Sequence, residues 1–78
     1  MTPNEYNDII NAIEWFYAHV PDWEQTRYWE LFKIIQRLGG PRLFKLIVND
    51  YIGEFKYARK PAALFHQHFY AQIKENEK

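Results

Sequence analysis

The sequence predicts an all-α fold: a compact bundle of about four short helices forming one domain over residues 1–78. Three observations predict it. Apolar residues recur at spacings of three and four through every long segment, the mark of a helical stripe. Helix starts led by proline stand at Pro3, Pro41 and Pro61. Strand-like alternation runs no longer than Phe55 to Tyr57.

The first helix is expected over 3–20. Thr2 can cap it, Pro3 suits the first helical position, and Glu5 sits where a capping box closes. Tyr6, Ile9, Ile10, Ile13, Phe16, Tyr17 and Val20 make its apolar stripe, and Pro21 stops it. A second helix is expected over 22–38, with Asp22 as cap and Gln25 reaching back as an amide capping box. Its stripe is Tyr28, Leu31, Phe32, Ile35 and Leu38, with Ile34 at the flank.

Gly39-Gly40-Pro41 is the clearest punctuation. Gly39 can take the left-handed position that closes a helix, Gly40 can cap the next, and Pro41 opens it. That third helix is expected over 41–53, with Leu43, Phe44, Ile47, Val48 and Tyr51 facing inward and Gly53 ending it. A loop follows at 54–60. The fourth helix, 61–75, steps through Ala62, Phe65, Phe69 and Ile73. With short connections, consecutive helices are expected to pack as neighbours.

A chain of this size hides only roughly 60% of its unfolded surface, so a rich core is needed. Three Trp, six Tyr and six Phe supply it, and no staple is required. The absence of cysteine removes disulfides, thiolate metal sites and Cys nucleophiles together. No apolar run approaches the roughly 20 residues that span a bilayer, and the first residues do not read as a signal peptide. The expected setting is the cytoplasm, with no membrane partner.

Charge is balanced overall but not along the chain. Residues 1–32 carry a net −5, with Arg27 the single base, whereas residues 33–60 carry +5. Such asymmetry either steers a partner or is satisfied by pairing between helices.

Catalysis finds little support. The only aliphatic hydroxyls are Thr2 and Thr26, and no His stands near Thr26 in sequence. His66 and His68, two apart on a helix, point about 160° away from one another and make a poor metal pair. His66 is expected to border the core and His68 to face solvent. Asp8, Glu14 and Glu30 fall outside the apolar stripes, and the glycines lack the Lys-Ser/Thr of a phosphate loop. No cofactor, metal or small-molecule substrate is expected.

Misplaced aromatics are more informative. At about 100° per residue, Trp15 falls opposite the stripe of the first helix, among Asp8, Asn11 and His19. It is either an interface anchor or the sign that this helix is covered on both sides. Trp29 is displaced from its own stripe, on the side of Lys33, which can lie over its ring as a cation–π partner. Trp15, Asp8, His19, Trp29 and Lys33 therefore form the expected protein-binding set. Trp23, beside Pro21, reads as a staple for the first corner.

A second candidate set is basic. Lys56, Arg59 and Lys60 interleave with Phe55 and Tyr57, and Arg42 and Lys45 lie on the outer face of the third helix. Bases mixed with aromatics can hold a phosphate backbone while stacking nucleobases. The second and third helices could also act as a helix-turn-helix with Arg42 and Lys45 toward phosphates. The favoured reading is that Phe55 and Tyr57 drop into the core while the bases stay in water.

The order of features resembles the small helical domain of phage replicative-helicase loaders and inhibitors. The matching segments are Ile9 to Phe16, then Trp29-Glu30-Leu31-Phe32, then Tyr51-Ile52, then Tyr57 to Pro61. The resemblance is one of spaced aromatics over most of the chain. It implies an accessory protein that binds a replicative helicase or its loader. That family carries a flexible C-terminal extension implicated in gripping the helicase, and this chain ends at Lys78. The resemblance therefore implies docking or blocking without the full loading cycle. Small phage inhibitors of host machinery, anti-CRISPR proteins among them, share the same compact, aromatic-rich character. A self-associating subunit is a further alternative.

Overall fold

Four helices follow one another in the computed structural model, which describes residues 2–24 and 27–77: α1 (Pro3–His19), α2 (Tyr28–Arg37), α3 (Pro41–Phe55) and α4 (Pro61–Asn76). No strand occurs among the described residues, so the fold is an all-α bundle. No helix there is long and apolar enough to cross a membrane.

The Thr2 cap forms as the sequence predicts, its Oγ1 accepting from the Glu5 amide at 3.2 Å. The Gly39-Gly40 turn also forms. Gly40 N–H donates to Ile35 O at 3.0 Å and Gly39 N–H to Gln36 O at 3.2 Å, which satisfies the last carbonyls of α2. Both glycines have positive φ, +107° and +119°. A Cβ on Gly39 would lie 2.7 Å from Leu43 Cδ1, which the half-exposed Leu43 side chain can relieve by moving, so the positive φ is what calls for glycine.

Two helix boundaries differ from expectation. α2 begins at Tyr28 and not at 22, because Asp22 caps a different helix: its Oδ2 accepts from the Ala62 amide at the start of α4, at 3.1 Å. Residues 21–24 form a turn, and the expected role of Gln25, like Thr26, lies outside the described residues. α3 runs through Gly53 to Phe55. A helical glycine costs only about 1 kcal/mol, and Phe55 gains burial against Phe65 by staying in the helix.

Phe16 is the centre of the core. Its ring meets Phe44, Phe65 and Trp23 edge-on at centroid distances of 5.3, 5.6 and 5.4 Å, joining three helices and the first corner. Trp23 is thus a core residue at 2% exposure, more than a staple over the corner. Leu31, Ile35, Val48 and Phe69 are fully buried around this aromatic cluster.

The packing order differs from the chain order. α1 packs most extensively on α3, whereas the consecutive pair α2 and α3 touch little. Going round the bundle the sequence is α1, α2, α4, α3. Residue pairings give the directions. Asp8 and Asn11 lie beside Arg42, and Ala18 and His19 beside Gly53, so α1 and α3 run the same way. Glu30 meets His66, and Arg37 meets Glu77, so α2 and α4 are parallel as well. Leu43, expected inward, is about half exposed, as is Leu46, because α3 turns inward the face that carries Phe44, Ile47 and Val48.

Candidate functional site

Two surfaces gather the residues singled out by sequence, and a third cluster was not foreseen. The first surface is aromatic. Trp29 is 61% exposed and Tyr6 42%. The Trp29 ring contacts Tyr28 at 5.4 Å and Phe32 at 5.7 Å, and Phe32 in turn meets Tyr6 at 5.5 Å. Lys33 is exposed but makes no cation–π contact with Trp29, contrary to expectation; the indole leans on its aromatic neighbours instead. An exposed indole in an aromatic setting is a large apolar area left without a partner in this chain.

The second surface is the groove between α1 and α3. It joins residues from both candidate sets. At one end Asp8 and Asn11 of α1 face Pro41, Arg42 and Lys45 of α3 across a hollow of about 320 Å³. Trp15 sits midway, and at the far end Ala18, His19, Ile52, Gly53, Lys56 and Tyr57 line a hollow of about 470 Å³. Trp15 is half-buried and packs against the core, not on an open polar face. The cause is α3, which packs on α1 and brings Lys45 over the indole. The indole carries Lys45 Nζ 5.7 Å from its centroid and the His19 ring at 4.7 Å. His19 is held there by its Nδ1–H donating to Trp15 O at 2.8 Å; a carbonyl only accepts, which fixes this tautomer.

Arg42 and Lys56 are exposed and Lys45 half-buried, and none has a carboxylate partner among the described residues. Arg59 and Lys60 are exposed in the loop after α3. The two loop aromatics part company. Phe55 packs on Phe65 and Tyr51, whereas Tyr57 stays 85% exposed, because the chain leaves α3 at Lys56 and carries the ring away from the core.

The unforeseen cluster lies between α2 and α4. Glu30 Oε2 accepts from Arg27 Nε at 2.8 Å. Its Oε1 accepts from Arg27 Nη2 at 3.2 Å, from His66 Nε2 at 3.0 Å and from the Tyr70 hydroxyl at 3.0 Å. The Arg27 hydrogen bonds, with those of His66 and Tyr70, hold the Glu30 carboxyl down at about 2, against the opposing effect of burial. The missed signal was available: His66 and Tyr70 are four apart and share a helix face, as Arg27 and Glu30 do at three.

His68, expected in solvent, is half-buried with its ring 3.9 Å from that of Tyr51. Its Nε2 is buried without a hydrogen-bond partner. Burial lowers its pKa, and the nearby Glu54 opposes the shift. No three His, Asp or Glu side chains gather as a metal site among the described residues.

Comparison finds no family model, no curated protein and no solved structure that matches the chain.

Proposed function

We propose that the protein is a non-catalytic module that binds another protein through the aromatic surface around Trp29. The partner is a replicative helicase or the loader of one. One observation carries the reading: Trp29 is 61% exposed and flanked by Tyr28 and Phe32. Trp and Tyr are the residues that most often anchor protein interfaces, and Lys33 adds a charged rim to the patch. The helicase as partner is supported by the resemblance in aromatic spacing, which includes Trp29 itself.

The polar cluster suits a non-catalytic role. Glu30 has a strongly lowered pKa, and its two oxygens already accept four hydrogen bonds. A carboxylate so occupied is a poor proton acceptor at neutral pH.

The test is Trp29→Ala, measured against purified replicative helicase from the same source by isothermal titration calorimetry. Stability should move within about 0.5 kcal/mol, as for a surface residue. Affinity should fall by about 2 kcal/mol or more, as for a central anchor. Unchanged affinity removes the aromatic surface from the interface. Failure of the unmodified protein to bind helicase or loader removes that partner.

A further inference from the structure

We propose that the α1–α3 groove is a second binding site, for a carboxylate-rich peptide segment of a protein partner with one apolar anchor side chain. This inference is independent of the Trp29 surface, which involves α2 and the start of α1.

Charge comes first. Arg42, Lys45 and Lys56 follow one another along the α3 wall without a carboxylate partner among the described residues, and Asp8 is the single acid lining the two hollows. On the α2–α4 face Arg27 and Arg37 are paired with Glu30 and Glu77. Lys33, Arg59, Lys60 and Lys74 lack a carboxylate partner among the described residues, as the groove cations do; what distinguishes the groove is three such cations on one wall. Three unpaired cations along one groove attract an anionic ligand and set its register.

Shape comes next. The far hollow, about 470 Å³, falls in the size range of ligand pockets. Ala18, Ile52 and Gly53 give it small and apolar walls, with Lys56 and Tyr57 at the rim. No atom lies within 4 Å of where a Cβ on Gly53 would stand, so the space there is open. An aliphatic or aromatic side chain fits such a hollow, and carboxylates on either side of it would reach the cations.

A polyanionic nucleic acid fits less well. Trp15, half-buried between Lys45 and His19, offers no free face for base stacking, which leaves only the exposed Tyr57, with Lys56 Nζ 5.9 Å from its centroid. Asp8 and Asn11 at the near end offer oxygens to the N–H groups of a peptide backbone. A phosphodiester backbone has no donor to give them.

The experiment is an NMR titration of the protein with a synthetic peptide in which one Phe stands among Glu and Asp residues. Saturable shifts are expected at the Ala18 and Gly53 amides and the Trp15 indole, weakening as salt is raised. Replacing the peptide Phe by Gly should weaken binding at least about tenfold, and so should Gly53→Leu, which fills the open hollow. Lys45→Gln with Lys56→Gln should do the same, while circular dichroism shows the helices intact. Trp29→Ala should leave peptide affinity unchanged, which separates this site from the helicase-binding surface. Absence of groove shifts overturns the proposal. So does tighter groove binding by an oligothymidylate of equal charge, which would make it a nucleic-acid site. Concentration-dependent groove shifts in the free protein, marking a second copy as occupant, overturn it as well.

Discussion

The α2–α4 face and the α1–α3 face hold similar kinds of side chain and treat them in opposite ways. On the first, Glu30 draws in Arg27, His66 and Tyr70, and Arg37 meets Glu77 at 2.6 Å. On the second, Arg42, Lys45 and Lys56 line a groove with aromatic rings and no paired carboxylate. Charges that satisfy one another hold helices together; charges without partners do little for the fold and remain available to a ligand. Sequence polarity alone does not separate charges that hold the fold from charges left free. What separates them is whether a neighbouring helix brings the complement.

The comparison breaks first at Glu30. Glu30→Ala removes four charge-assisted hydrogen bonds on a half-buried face and should cost about 2 kcal/mol, read from urea denaturation. Its pH dependence follows from the lowered pKa. The carboxyl titrates near 2 in the folded chain and near 4.5 in its ordinary state. The stability it contributes is therefore present above about pH 4.5 and lost as pH falls toward about 2. That acid limb should flatten in Glu30→Gln. If it persists unchanged, the cluster does not bind α2 to α4.

A smaller effect lies at His68, a half-buried imidazole whose Nε2 has no hydrogen-bond partner. Its pKa is lowered by burial, so the unfolded chain takes up the proton first as pH falls below about 6.5. Stability declines from there until the folded chain is protonated too. His68→Leu should abolish this decline and add about 1 kcal/mol at neutral pH, since an unpaired polar atom is removed. A loss of stability in thermal melts would show that the ring's contact with Tyr51 outweighs the orphaned nitrogen.

The smallest effect sharpens the contrast. Replacing Arg42, Lys45 and Lys56 each by Gln should shift stability by no more than about 0.5 kcal/mol per site. Losses near the Glu30 value would mean that the groove cations are structural after all.

Much of the fold was legible because its punctuation is local. Thr2-Pro3, Gly39-Gly40-Pro41 and Pro61 set three helix starts through backbone chemistry that neighbours cannot override. The start of α2 was not legible, since Asp22 reads as a local cap until α4 takes its carboxylate. Trp15 stayed between two readings for a related reason. A helical wheel knows one buried side, and α1 has two, one against α2 and one against α3. Trp29 was readable because nothing covers it. The Glu30 cluster needed α2 and α4 to be recognised as parallel neighbours, which the short connections argued against. Gly53 misled because glycine weakens a helix without ending it.

The Asp22–Ala62 bond has a kinetic side. Asp22 and Ala62 are 40 positions apart, as are Glu30 and Tyr70, and His66 is 36 from Glu30. Chain closure over such spans comes at an entropic cost before any contact rewards it. α1 and the Gly39-Gly40 turn can form from local contacts while the chain is still largely open. α4 acquires its cap and its hydrogen-bonded partners only when the segment before α2 folds back to meet it. Docking of the last helix is therefore expected to be a late step of folding. Substitutions at Asp22 should act on the rate of unfolding and leave the rate of folding nearly unchanged.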